Sequence, residues 1–235
     1  MLSPEAIDLK SKLSHVLWIG GPPDGGKTTI ADLLGATYGL ATYHFDLHEM
    51  DHIRRADPVR HPYLSALGQW LATMDERNFV EFLWVKRTPE EMAKTTMASW
   101  SERVSLVVED LLALPTDRPI IAEGAGFFPD VILPLISDPH QAIWLAPTED
   151  FKRASHTRRD KGAYRARILD DPETAQRNNI ARDLLIAEHY RQAIRELGLP
   201  LIEVDGTRSA EEVAAEVARH FEPLLPKLNS SISVS

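Results

Sequence analysis

The sequence has no cysteine among its 235 residues. That excludes disulfides and thiolate metal sites, and a reducing compartment such as the cytoplasm is the expected location. No apolar run approaches the ~20 residues of a membrane span. Met1 to Lys12 carries acids and no long apolar core, so no secretory signal is expected. Basic residues are also in short supply: 26 Lys and Arg stand against 35 Asp and Glu, a net charge of −9. A surface of that sign repels polyanions on average and argues against a general nucleic-acid binder. There is no internal repeat and no low-complexity linker. One domain over 1–228 with a frayed tail over 229–235 is the expected organisation.

What is present is an alternation of short apolar runs with helical patterns. Candidate strands lie at 15–20, 41–45, 119–123, 141–146 and 201–205. Several are apolar almost throughout, as a sheet covered on both faces requires. Helix starts are marked by capping chemistry. Thr88-Pro89-Glu90-Glu91 and Ser209-Ala210-Glu211-Glu212 read as capping boxes, and Asp171-Pro172 as a cap followed by proline. The helix after Asp171 should stop at Gly198. The order predicts an α/β fold with a mostly parallel five-stranded sheet and helices on both faces. A long helical block, 47–114, separates the second strand from the third. It reads either as extra packing or as an insertion that covers a substrate.

One stretch is specific. Gly21-Pro22-Pro23-Asp24-Gly25-Gly26-Lys27-Thr28 follows the apolar run His15–Ile19 and precedes Thr29-Ile30-Ala31-Asp32-Leu33-Leu34. It is G-x-x-x-x-G-K-T between a strand and a helix, the phosphate-binding P-loop pattern in its required context. Backbone N–H groups of such a loop cradle a polyphosphate, and the helix dipole points at the same anion. Lys27 is the expected partner of the β and γ phosphates, and the Thr28 hydroxyl of Mg²⁺. Gly21, Asp24, Gly25, Gly26 and Thr29 complete the expected nucleotide cradle.

Other candidates follow from position. Asp46 ends the second candidate strand, where it can hold or deprotonate an acceptor hydroxyl, or simply cap a helix. Glu123 ends the third and suits Mg²⁺ or its waters, with a turn acid as the plain alternative. Gly124 and Gly126 after it could meet substrate through bare backbone. Phe151 to Arg167 is locally basic, with Lys152, Arg153, Arg158, Arg159, Lys161, Arg165 and Arg167. It reads as a lid closing over phosphates or as a solvated basic face; Arg158 and Arg159 are the leading catalytic candidates, and Arg153 a nucleotide contact. Arg54 and Arg55 in the insertion are candidates for holding substrate. Trp70 and Trp84 read as core. His44, His48 and His52 share a face only if all are helical, and His44 belongs to a strand, so no metal set is expected. Asp205-Gly206 after the last strand could contact a nucleotide base or form a turn.

Together these residues resemble the P-loop small-molecule kinases, the broad group of nucleotide, shikimate and gluconate kinases. The resemblance rests on Gly21 to Thr28, Asp46, Glu123-Gly124, the arginine-rich segment and Asp205-Gly206, and covers roughly 14–222. It implies a three-layer P-loop NTPase fold with strand order 2-3-1-4-5, binding of ATP and Mg²⁺, and phosphoryl transfer to a small-molecule acceptor. It places acceptor binding in 47–114 and the lid at 151–167. Such a protein would be a monomer or homodimer, with no membrane or nucleic-acid partner. A nucleoside or nucleotide kinase, an NTP-driven regulatory ATPase and a polynucleotide end kinase are the alternatives. Two departures stand out. Asp24 occupies a loop position where these kinases usually carry glycine, and a carboxylate there should weaken phosphate binding unless it points outward. Glu123 stands where an aspartate is usual.

Overall fold

The computed structural model describes residues 4–158 and 163–227. Five strands lie in one sheet: β1 (Val16–Gly20), β2 (Ala41–His44), β3 (Ile120–Gly124), β4 (Ala142–Pro147) and β5 (Leu201–Val204). The order is β2-β3-β1-β4-β5 and every pairing is parallel. Each observed strand lies within a residue of its expected bounds at either end. The helices are α1 (Pro4–Lys12), α2 (Lys27–Tyr38), α3 (Glu49–Arg55), α4 (Pro62–Thr73), α5 (Glu76–Trp84), α6 (Pro89–Leu112), α7 (Pro129–Ile132), α8 (Glu149–Arg158), α9 (Ala163–Ile168), α10 (Pro172–Leu197) and α11 (Ala210–Phe221).

The two-residue period of the strands builds the layers. Val16, Trp18, Ile120, Ala122 and Trp144 face one side, where α6 and α10 supply Val104, Val107, Ile186, Tyr190 and Ile194. Leu17, Ile19, Ile121, Ile143 and Leu145 face the other, against Ile30 and Leu34 of α2 and Val213, Val217 and Phe221 of α11. Both sheet faces are therefore dry, which is why β1, β3 and β4 are buried at every position. The helix starts follow their capping chemistry. Thr88 and Ser209 form reciprocal capping boxes with Glu91 and Glu212, and the Asp171 side chain accepts from Thr174 N. Gly198 takes a left-handed conformation and ends α10.

The block between β2 and β3 is a short 3-10 turn, Phe45–His48, followed by α3 to α6. α6 packs on α10 and on α4, so the block forms a wall beside the carboxyl ends of β2 and β3. Among the described residues, no helix is long and apolar enough to cross a membrane. The calls on Arg159 and the tail 229–235, and on the side chain of Arg158, lie outside the described residues.

Candidate functional site

The parallel register brings the carboxyl ends of β1, β2 and β3 to one edge. Ile19 pairs with Glu123, Gly20 with Gly124, and His44 with Glu123. The glycine-rich loop starts there and curls from Gly20 into α2. Gly21 has φ +132, and a Cβ on it would lie 2.0 Å from the Leu145 carbonyl oxygen. No other residue fits that turn. Gly25 passes the same carbonyl, and Gly26 caps α2 in a left-handed conformation. Tyr190, fully buried on α10, takes a backbone hydrogen bond from Gly21 and donates to the Ala125 carbonyl at 2.9 Å. It ties the loop to the turn after β3.

Lys27 is buried, and its ammonium donates to Pro22 O at 2.9 Å inside the curl. Burial pushes its pKa down, against the pull of Glu123, Asp46 and Asp24. Three carboxylates and the Lys152 ammonium thus act on Lys27 together. Thr28 Oγ1 donates to Glu123 Oε1 at 3.1 Å. His44 Nδ1 lies 3.0 Å from the same oxygen, and its Nε2 lies 3.3 Å from Asp32. A cavity of about 210 Å³ opens on this group, lined by Asp24, Gly26, Lys27, Thr28, Asp46 and Glu123 among others.

Asp24 is the one non-glycine residue with positive φ, at 68°, among the described residues. Its carboxylate does not enter the cradle. It turns into the protein, onto the Lys152 ammonium at 2.5 Å, and both side chains are 2% exposed. Lys152 Nζ also meets Asp183 at 2.5 Å, and Arg182 holds the other Asp183 oxygen at 2.5 Å. The expected clash between Asp24 and phosphate is therefore removed by a buried cation from α8. Lys152 belongs to the segment read as a lid, yet it anchors the loop from below. Arg153, its neighbour, sits on the exposed face of α8 with Glu149 at 2.6 Å.

Asp46 lies within the Phe45–His48 turn and caps neither that turn nor α3. It is exposed and lines both the cavity at Lys27 and a second cavity of about 440 Å³ inside the insertion. Trp100 of α6 lines both as well. The turn is pinned by Arg103, whose side chain is 1% exposed. Its guanidinium donates to the Phe45 carbonyl at 2.5 Å, to His52 Nδ1 at 3.2 Å and to Glu49 at 3.4 Å, and lies 3.6 Å from the Phe45 ring centroid. Arg103 is a positioning residue for Asp46. The sequence did not single out Arg103, and it considered His44 only as a member of a metal set.

Arg54, Arg55 and Gly124 have surroundings other than those expected. Arg54 and Arg55 do not line the cavity in the insertion. Arg54 is exposed near Asp51, and Arg55 is held by Asp51, Glu109 and Asp110 on the outer side. The arginines that do line it are Arg87 and Arg182. Gly124 offers no bare backbone to a ligand, because the Phe45 side chain fills the space above it. A Cβ there would lie 2.5 Å from Phe45 Cβ. Gly124→Ala should cost about 1–3 kcal/mol by overpacking, read as a lower denaturant midpoint; an unchanged midpoint contradicts this packing. Trp84 packs on the small core of Val80, Leu169 and Ala175, as expected, and lines the cavity as well.

Asp205 accepts from Thr207 N and Oγ1 in a local turn. Gly206, at φ +84, passes over the Phe151 ring. With Gly25, Thr29 and Arg208 it lines a third cavity of about 220 Å³ on the far side of the loop. Asp205 is not part of that lining. Among the described residues no cluster of three or more His, Asp or Glu side chains could hold a metal alone. Thr28 and Glu123 nevertheless make a hard-oxygen pair of the kind Mg²⁺ uses together with phosphate and water. The hydroxyl hydrogen of Thr28 goes to Glu123, which leaves its lone pairs available. No known family model matches this chain, and no curated protein is significantly similar to it in sequence.

Proposed function

We propose that the protein is a P-loop phosphotransferase that moves the γ-phosphoryl group of ATP to a hydroxyl of a small molecule. One observation carries the reading. The cavity at Lys27, Thr28 and Glu123 and the apolar cavity in the insertion meet at Asp46 and Trp100. A switch or regulatory ATPase has no use for a second chamber at that junction. The third cavity, beside Gly206, suits the nucleotide base.

On this reading the acceptor hydroxyl enters through the larger cavity and reaches Asp46. Asp46 accepts its proton as the acceptor oxygen bonds to the γ-phosphorus. The bond from that phosphorus to the β–γ bridging oxygen breaks, and ADP leaves. Lys27 neutralises charge on the phosphoryl oxygens, and the loop N–H groups hold the phosphate chain. Thr28 and Glu123 would hold Mg²⁺, which supplies further neutralisation of phosphate charge. Phe79, Trp84 and Trp100 in the cavity wall favour a nucleoside acceptor as the second reading. A polynucleotide end kinase is disfavoured by the −9 net charge.

The test is ADP release from ATP and Mg²⁺, with and without pools of hydroxylated metabolites and nucleosides. Stimulation by one pool supports transfer; release unaffected by every pool sinks it. Glu123→Gln should raise the Mg²⁺ concentration for half-maximal turnover by at least ~10-fold. An unchanged Mg²⁺ profile removes Glu123 from the metal site.

A further inference from the structure

The cavity in the insertion is apolar along most of its length but carries opposite charges at its two ends. It follows a stripe of α6, where Met92, Thr96, Ser99 and Trp100 line it at helical spacing. Met92 to Trp100 spans about 12 Å of helix rise. Asp46 and Glu49 lie at the Trp100 end, next to the transfer site. Arg87, just before α6 begins, lies at the other.

Arg87 is held without a counter-ion. Its guanidinium donates to the Glu91 carbonyl at 2.9 Å and to the Thr95 hydroxyl, and it packs over Trp70 and Phe82. None of these groups is charged, and among the described residues no carboxylate forms an ion pair with it. Burial lowers its pKa, the Glu91 charge opposes that, and the nearby Arg182 lowers it further. Arg182 also lines the cavity, and its carboxylate partner Asp183 is shared with Lys152. Arg182 and Arg165 lie over the Trp84 ring at 4.7 and 4.9 Å. A half-buried guanidinium without an acid is costly unless a ligand supplies the anion.

We propose that the acceptor is a compact, largely apolar hydroxy acid, with its anionic group at Arg87 and its hydroxyl at Asp46. The body lies against Phe79, Trp84, Leu67 and Leu71. A cavity of about 440 Å³ suits a molecule of metabolite size. The inference rests on the phosphotransferase reading for the fate of the hydroxyl, but the anion pocket stands on Arg87 alone. A nucleoside monophosphate fits poorly. Its anion is the phosphoryl acceptor and would lie at the transfer end, where Asp46 and Glu49 repel it.

The test uses the full chain without nucleotide. A hydroxynaphthoate and its neutral hydroxynaphthamide are titrated calorimetrically. The acid should bind about 10–100-fold tighter, the range of a charge-assisted hydrogen-bond pair. Arg87→Met should erase that preference while leaving amide affinity unchanged, and Arg87→Lys should keep most of it. Equal affinity for the two probes, binding of neither, or a preference that survives Arg87→Met overturns the proposal. Turnover is then assayed separately with ATP. Acid binding without acid-stimulated ADP release would keep the anion pocket and overturn the phosphotransferase reading instead. Stimulation by neutral polyols but not by hydroxy acids would do the reverse.

Discussion

Lys27→Ala is expected to cut ATP turnover by at least ~100-fold, the cost of removing one preorganised charge from a developing anion. The fold should survive unharmed. Lys27 is fully buried, and burial outweighs the attraction of Glu123, Asp46 and Asp24, so its pKa is lowered. A base whose folded pKa lies below its unfolded one costs stability at neutral pH, and that cost goes with the ammonium. The variant should therefore melt at or above the temperature of the parent. The two readouts separate catalysis from structure. Turnover that persists in a folded Lys27→Ala protein removes the glycine-rich loop from the chemistry. A large fall in melting temperature would mean that the ammonium is chiefly a structural donor to the Pro22 carbonyl. With the acceptor saturating, kcat should fall more than acceptor affinity, because Lys27 lines the cavity at the glycine-rich loop and not the one in the insertion.

The fold was legible because its determinants are local. The strands are apolar runs buried on both faces, and the ends of α6, α10 and α11 are written in Thr88, Asp171, Gly198 and Ser209. Each of those residues acts within four positions of itself. The loop from Gly21 to Thr28 was legible for the same reason, and Glu123 because a strand end fixes where its side chain points. What failed to show were contacts across the chain. Asp24 and Lys152 lie 128 positions apart, and nothing near either residue announces the other. Arg103 is a cation inside an otherwise unremarkable helical stripe, and only the docking of α6 against the Phe45–His48 turn gives it a purpose. Arg54 and Arg55 stand out in the sequence and Arg87 does not, because composition cannot tell the outer side of the insertion from the inner. That choice is made by how α3 and α4 pack beside α6.

Lys152→Met should destabilise the protein by about 3–5 kcal/mol, measured as the free energy of denaturant unfolding. The side chain is replaced by one of similar length, so the loss is the charge and not the packing. Lys152 is 2% exposed and holds Asp24, 2% exposed, and Asp183, 4% exposed, which its removal leaves short of a cation. Asp183 keeps Arg182; Asp24 loses the ammonium that draws it away from the cradle. The pH dependence identifies the cause. Burial pushes the Asp183 carboxyl up, but Arg182 and Lys152 together pull it below the ordinary carboxylate value. A depressed acid contributes stability that is complete above its unfolded pKa and is lost as pH falls through the folded one. The gap between parent and variant should therefore be widest at neutral pH and narrow below about pH 4. A gap that does not vary with pH would point to lost packing. Lys152→Met combined with Asp183→Asn should recover part of the loss, since no buried charge is then stranded at position 183. Nucleotide affinity gives a separate check. With Lys152 gone, Asp24 loses its buried cation, and ATP should bind more weakly as the carboxylate's charge is left beside the loop; Asp24→Gly in the same background, which suits φ 68 and removes the anion, should restore it. ATP affinity that is indifferent to Lys152 would mean that Asp24 never threatened the cradle.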